Sequence, residues 1–290
     1  MSIKDSVVVV TGAQGYIGDA LVQRLKRLGA IVVPVSRTDC DIRSVSQFLL
    51  QSSIEADLIF HFAAKTRLGA EKEAIQECYS TNVLGTRAIC EYASLMSARL
   101  VFVSTYVYGT QEKVPASEMS RLAPSNSYGH SKVIAEDVCH LFSSKSGLDY
   151  VIVRPTNVYG PNQSSEFLIP HVISQIQSES DSIVLRNLSS IRDYIFIEDM
   201  LEGTQRIAYS GKKGETYNLG TSTATSVEQV VSAAQAVWET DKRVLVRGAP
   251  FAGVDYAVTD TSKLRQDLGW SPSISVLEGL RIIKQRAEYF

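Results

Sequence analysis

The sequence predicts an α/β fold: a doubly wound parallel sheet with helices on both faces, followed by a smaller C-terminal α/β lobe. Three observations carry this. Residues 7–18, VVVVTGAQGYIG, run four valines straight into glycines at 12, 15 and 18. Short aliphatic runs at 7–10, 31–35, 57–64 and 100–103 alternate with stretches of helical apolar spacing, the rhythm of a parallel sheet. Hydroxyl-bearing residues then follow the fourth run and a Tyr-x-x-x-Lys pair comes after them, in the chain order of a site at the carboxyl edge of such a sheet.

Four consecutive β-branched residues, Val7 to Val10, read as a strand buried on both faces. Gly12, Gly15 and Gly18 turn that strand into a helix opened by Tyr16 and Ile17. The glycines permit a tight turn and a close backbone approach to a pyrophosphate, and the helix N-terminus offers free N–H groups and partial positive charge. The spacing is Gly-x-x-Gly-x-x-Gly rather than Gly-x-Gly-x-x-Gly, so an ordinary strand-to-helix turn is the alternative to a dinucleotide site. The helix carries Ile17, Leu21, Leu25 and Leu28 on one face and stops at Gly29. The second strand, 31–35, ends in Ser36-Arg37, where an acidic residue would bind the 2′-hydroxyl of NAD and an Arg would accept the 2′-phosphate of NADP. With no carboxylate at the strand end and one guanidinium, the local chemistry favours NADP; a solvated surface Arg37 is the alternative. Asp41 and Ile42, in the next connection, are placed to bracket an adenine.

The third strand lies within 57–64 and ends in Phe62, Ala63 and Ala64, small enough at the last two positions for a backbone that passes close to a cofactor. His61, inside the apolar run, reads as a packed core residue. A long helical stretch, 71–98, carries Asn82, and the fourth strand, 100–103, leads into Ser104, Thr105, Tyr106 and Tyr108. Pro124-Ser125-Asn126 opens a helix on which Tyr128 and Lys132, four apart, share a face. A phenol ionises near pH 10, but a nearby ammonium and a hydroxyl donor both favour the phenolate, which makes Tyr128 a candidate acid or base. Tyr209 and Lys213 repeat the spacing, yet Gly211 breaks their helix and no hydroxyl-ended strand precedes them.

The chain of 290 residues carries 29 Lys and Arg against 31 Asp and Glu, so no global field draws in nucleic acid or an anionic membrane. The start is too short and too soon interrupted for a signal peptide, and no apolar run reaches spanning length, so a soluble cytoplasmic protein without membrane partner is expected. Cys40, Cys78, Cys90 and Cys139 lack the close spacing of zinc or redox pairs; no metal and no cysteine chemistry is expected.

Together, Gly12-x-x-Gly15-x-x-Gly18, Asp57 with His61-Phe62-Ala63-Ala64, Asn82, Ser104 before Val107-Tyr108-Gly109, and Tyr128-x-x-x-Lys132 resemble the extended short-chain dehydrogenase/reductase family. So do the segments 154–161 (RPTNVYGP), 192–199 (RDYIFIED), 217–220 (YNLG), and the tail with Asp260-Thr261-Ser262-Lys263 and Leu268-Gly269-Trp270-Ser271-Pro272. Within it the sequence is most similar to nucleotide-sugar epimerases and reductases. The resemblance implies that Tyr128 is the acid/base, that Lys132 binds the nicotinamide ribose and lowers the Tyr128 pKa, and that Ser104 bonds the reacting oxygen. Thr105, facing the other side of the strand, is the alternative to Ser104. It also implies Asn82 among the cofactor contacts, and Lys65, Thr105, Tyr106, Asn157 and Arg192 as substrate contacts, the last two at the sugar diphosphate. An ion pair of Arg192 with Asp193 is the competing reading.

Three departures matter. Thr105 and Tyr106 stand where the 4,6-dehydratases carry Asp-Glu, which argues against dehydration. Residues 250–255 (PFAGVD) lack the Arg that many relatives use on the second phosphate, leaving Arg247 as a substitute. Ser36-Arg37 replaces the acidic residue of epimerases that keep NAD bound. The expected layout is a dinucleotide-binding domain over 1–155, with 190–212 returning to it, and a substrate lobe from 156–189 and 213–290. The expected activity is NADPH-dependent reduction of a 4-keto nucleotide-diphosphate sugar; the alternatives are C4 epimerisation with bound NAD and a non-catalytic dinucleotide-binding protein. Relatives pair through two long helices, here 71–98 and 126–145, so a homodimer is expected.

Overall fold

The structure, a computed structural model, describes residues 3–66, 71–111, 114–248 and 254–287. The first half alternates strands and helices: β1 (Val7–Thr11), α1 (Tyr16–Arg27), β2 (Ile31–Val35), α2 (Val45–Gln51), β3 (Leu58–His61), α3 (Lys72–Tyr79), α4 (Gly85–Met96), β4 (Arg99–Val103), α5 (Ser127–Ser146) and β5 (Tyr150–Pro155). The valines explain β1 and its neighbours: alternate side chains feed opposite cores. Val8 and Val10 join Leu58, Phe60, Val101, Val103, Val151 and Val153 on one face. Val9 joins Ile59, Leu100, Phe102, Tyr150 and Ile152 on the other. Both faces are therefore covered, α1 packing on the first and α2, α4 and α5 on the second.

After β5 come β6 (Asn157–Tyr159), α6 (Leu168–Gln177), β7 (Ser182–Leu185), β8 (Ile191–Arg192), β9 (Tyr194–Phe196) and α7 (Ile197–Ser210). Then follow β10 (Thr216–Leu219), β11 (Thr225–Ser226), α8 (Val227–Trp238), β12 (Arg243–Val246), β13 (Tyr256–Ala257), α9 (Ser262–Leu268) and α10 (Val276–Ala287). The main sheet has the order β10-β5-β4-β3-β1-β2, with every pair parallel. The chain winds outward from β1 to β2 and then reverses to β3, so a crevice opens at the carboxyl ends of β1 and β3, the place where such sheets bind ligands. The lobe contributes small sheets, β12-β7 and β11-β8-β13, beside the parallel pair β6-β9.

Two expectations change. The segment from 213 onward begins in the sheet, not the lobe, because β10 pairs with β5 in register Thr216 to Ile152 through Leu219 to Pro155. The single helix expected over 71–98 is α3 and α4 joined by a π-helical turn, Ser80–Leu84, that holds Asn82. α7 packs on β4, β5 and β10.

Candidate active site

The first half of the site is backbone. At the end of β1 the chain turns left-handed at Gly12, φ +71°, and a Cβ there would stand 2.8 Å from the Ala63 nitrogen and 2.9 Å from the Phe62 carbonyl carbon. A Cβ on Gly18 would stand 2.2 Å from the Gly12 oxygen. Only glycine lets the turn, the end of β3 and α1 meet this closely. Thr11 braces the contact: its Oγ1 accepts from the Ala63 amide at 3.3 Å and lies 2.6 Å from His61 Nδ1. His61 is fully buried and also reaches Thr86 Oγ1 at 3.2 Å. Burial, and then the Lys132 charge, push its pKa down to about 3, so it is a neutral packing residue as expected. Gly15 is the N-cap of α1 and no side chain caps that end, while Tyr16 and Ile17 are half-buried against the core. A backbone cradle ending in uncapped amides fits the pyrophosphate of a dinucleotide.

At the end of β2 the structure differs from the sequence reading. A carboxylate is present there: the Ser36 amide and hydroxyl both donate to Asp39 Oδ2, at 2.8 and 2.6 Å. Arg37 is exposed beside them, and Lys65 lies 2.8 Å from Glu77. Asp41 is engaged by Arg43, whose amide and Nε donate to its Oδ1, both at 2.9 Å, and these bonds pull its pKa down to about 2. Ile42 packs over Gly85. The side chain of Asn82 is committed to the chain itself: Oδ1 accepts from the Lys65 amide at 2.7 Å, and Nδ2 donates to the Lys65 carbonyl and to Ser131 Oγ. It thus ties the segment after β3, at Lys65, to α5, a bracing role that the π turn makes possible.

The second half of the site is side chain. α5 starts cleanly because Asn126 caps it, its Oδ1 accepting from the Gly129 amide at 2.8 Å. Tyr128 and Thr105 line one recess of about 80 Å³ with Tyr106, Asn126 and Val254. Burial pushes the Tyr128 pKa up to about 12, against a smaller downward pull from the Thr105 hydroxyl. Lys132 is buried with its Nζ 4.0 Å from the centre of the Phe102 ring. Burial brings its pKa down to about 8, Glu136 opposing. With its pKa at about 12, the phenol of Tyr128 is neutral. Ser104, next to Thr105 in the chain, is buried, and its hydroxyl has no hydrogen-bond partner among the described residues. The structure therefore joins Thr105, the alternative, to the phenol, and leaves the Ser104 hydroxyl unpaired among the described residues.

Of the substrate candidates, Tyr106 donates to the Gly109 carbonyl at 3.0 Å and feels the Arg192 charge. Arg192 donates to the Ile191 and Asp255 carbonyls. The competing ion pair is displaced, because the buried Asp193 carboxylate accepts from the amide and hydroxyl of Thr221 at 2.8 and 2.6 Å, from the Ser222 amide and from Thr259. Asn157 is exposed and donates to the Asp193 carbonyl. Residues 250–253, where the missing Arg was noted, lie outside the described residues.

Sequence reasoning missed one structural anchor. Arg154 Nε and Nη2 donate to the two oxygens of Glu136 at 3.0 and 2.5 Å, with side chains 6% and 2% exposed. Arg154 Nη1 also reaches Tyr108 Oη at 2.9 Å, and that hydroxyl donates to Asn218 of β10. Glu136 stands one turn beyond Lys132 and two beyond Tyr128, so the pair fixes the reactive face of α5 to the sheet. The signal was available: the i, i+4, i+8 spacing along one face.

Residues 8–220 match the family described as NAD dependent epimerase/dehydratase family. The chain belongs to that family. Its members are enzymes of the extended short-chain dehydrogenase/reductase type, and so is this one. A UDP-glucose 4-epimerase of Mycolicibacterium smegmatis is 28% identical over 97% of this chain and 97% of its own length. A dTDP-glucose 4,6-dehydratase of Streptomyces niveus is 31% identical over 77% of this chain and 68% of its own. The fold agrees with that of RMD from Pseudomonas aeruginosa complexed with NADPH, at a TM-score of 0.88 and 20% identity over 98% of this chain and 100% of that one. No helix among the described residues is long and apolar enough to cross a membrane.

Proposed function

We propose that the protein reduces a 4-keto nucleotide-diphosphate sugar with NADPH. The observation that carries this is the neutral phenol of Tyr128 facing a recess shared with Thr105. A carbonyl that becomes an alcohol needs a proton at oxygen, and the protonated phenol of Tyr128 is the donor that lines the recess. Thr105 or the unpaired Ser104 hydroxyl holds that oxygen, and Lys132, buried beside Phe102, anchors the nicotinamide ribose and restores charge balance as the proton leaves. The glycines 12, 15 and 18 and the α1 amides hold the pyrophosphate, and Ser36-Arg37 meets the adenosine end. When bound, the dinucleotide supplies the hydride. Asn157 and Arg192 receive the sugar diphosphate. Thr105 and Tyr106, which cannot act as the carboxylic pair of an elimination, argue against dehydration. The homodimer would form through α4 and α5, whose Leu95 and Leu141 side chains are exposed.

A C4 epimerase is the second reading, favoured by the end-to-end similarity to a UDP-glucose 4-epimerase. The test is stoichiometry. With a UDP- or dTDP-4-keto sugar, reduction consumes one NADPH per product. Interconversion of C4 epimers from a saturated sugar nucleotide without added NADPH would replace reduction by epimerisation.

A further inference from the structure

A line of buried polar side chains, Thr11, His61, Thr86, Asn82 and Ser131, crosses the core from the glycine turn to the reactive helix. Its proton directions follow from counting hydrogens. The Thr86 hydroxyl donates its one hydrogen to the Asn82 carbonyl at 2.6 Å, so toward His61 Nε2, 3.2 Å away, it can only accept. The neutral His61 therefore carries its proton on Nε2. Its Nδ1 is then an acceptor, filled at 2.6 Å by the Thr11 hydroxyl, whose oxygen accepts from the Ala63 amide. Beyond the π turn, Asn82 Nδ2 donates to Ser131 Oγ at 2.8 Å, and that hydroxyl donates to the Tyr128 carbonyl at 2.7 Å. From Thr11, the residue before Gly12, to the turn of α5 that holds Tyr128, every donor points the same way. A second contact runs alongside: the His61 ring lies 5.8 Å from the Phe102 ring, over which the Lys132 ammonium sits at 4.0 Å.

We propose that His61 and Thr86 are positioning residues for the reaction: through this one-way chain they hold the face of α5 that carries Tyr128 and Lys132 in register with the glycine cradle. The inference rests on reading the glycine turn as the dinucleotide site and Tyr128 as the proton donor. Neither His61 nor Thr86 lines the recess that Tyr128 shares with Thr105, so each acts through the segments it joins. Proton transfer to a carbonyl beside the nicotinamide depends steeply on separation, and the two partners are held by different parts of the chain, one by the turn after β1 and the other by α5. A buried chain whose members are all satisfied is stiff, because a shift of α5 would strand a donor or an acceptor away from water.

The test is Thr86→Val, which keeps the shape and removes both the acceptor for His61 and the donor to Asn82, with Thr86→Ser as the variant that restores them. Thr86→Val should lower kcat with NADPH and a UDP- or dTDP-4-keto sugar by about 10- to 100-fold, while NADPH affinity, followed by nicotinamide fluorescence, stays within about twofold. Thr86→Ser should recover most of the loss. Ser131→Ala breaks the same chain further on, so its loss and that of Thr86→Val should not multiply in the double variant. A merely structural role gives another pattern, a lower urea midpoint with kcat per folded molecule unchanged; that result, or losses that multiply, overturns the proposal. Should Thr86→Val fold poorly, the parent protein supplies a test of its own: in NMR spectra of isotopically labelled histidine, His61 should be the Nε2–H tautomer at neutral pH, and an Nδ1–H tautomer or an imidazolium overturns the chain. Full turnover by Tyr128→Phe would be a different result: it would remove the proton-donor reading itself, and this proposal with it.

Discussion

The two halves of the site are made of different materials. At the β1–α1 turn, recognition rests on backbone amides and on the absence of side chains at Gly12 and Gly18, where an added Cβ would lie within 3 Å of other backbone. At the β4–α5 edge it rests on titratable side chains, Tyr128 and Lys132, set on a helix pinned by the buried Glu136–Arg154 pair. The first half should be indifferent to pH and intolerant of volume, the second the reverse. Binding and proton transfer are therefore separable by mutation.

The largest expected effect breaks the second half alone. Tyr128→Phe removes the proton donor and should lower kcat by about 10²–10⁴-fold, while the dinucleotide dissociation constant stays within about twofold. A loss of affinity equal to the loss of rate would show that the halves are not separate. Next comes the anchor. Arg154→Met strands the buried Glu136 carboxylate and should cost ~3–5 kcal/mol in urea denaturation, whereas adding Glu136→Leu should recover much of it. Breaking the first half needs only one methyl group: Gly18→Ala should cost ~1–3 kcal/mol and weaken dinucleotide binding, with no change in the pH dependence of the remaining activity.

How far the sequence reveals these two halves differs in the same way. The backbone half was legible because valine alternation and glycine spacing act locally: the expected strand at 31–35 has the bounds of β2, and His61 is the packed residue its setting implied. What was not legible depends on an inserted residue or on distant pairing. The π turn at 80–84 keeps helical composition while it aims Asn82 at Lys65, and β10 is four residues whose partner, β5, lies some 60 positions earlier. Asp39 was missed because its side chain, not its position, returns to the end of β2. The order of Ser104 and Thr105 around the phenol likewise depended on which one the strand end buries.

The smallest expected effect sharpens the comparison through pH. Lys132 releases its proton near pH 8 in the folded chain and near 10.5 when unfolded. Between those values the unfolded state binds more protons, so this lysine makes stability rise with pH. Urea midpoints of the parent protein and of Lys132→Met, compared between about pH 8 and 9.5, should diverge by ~1 kcal/mol in the parent's favour as pH increases. Parallel curves would mean that the ammonium is not desolvated against Phe102.

The most direct test of the whole account follows the label. With NADPH deuterated at the transferred position of C4 and a UDP- or dTDP-4-keto sugar, the product alcohol should carry one deuterium at the former carbonyl carbon for each NADPH consumed. Product without deuterium, or turnover that leaves the NADPH pool intact, would contradict reduction at this site.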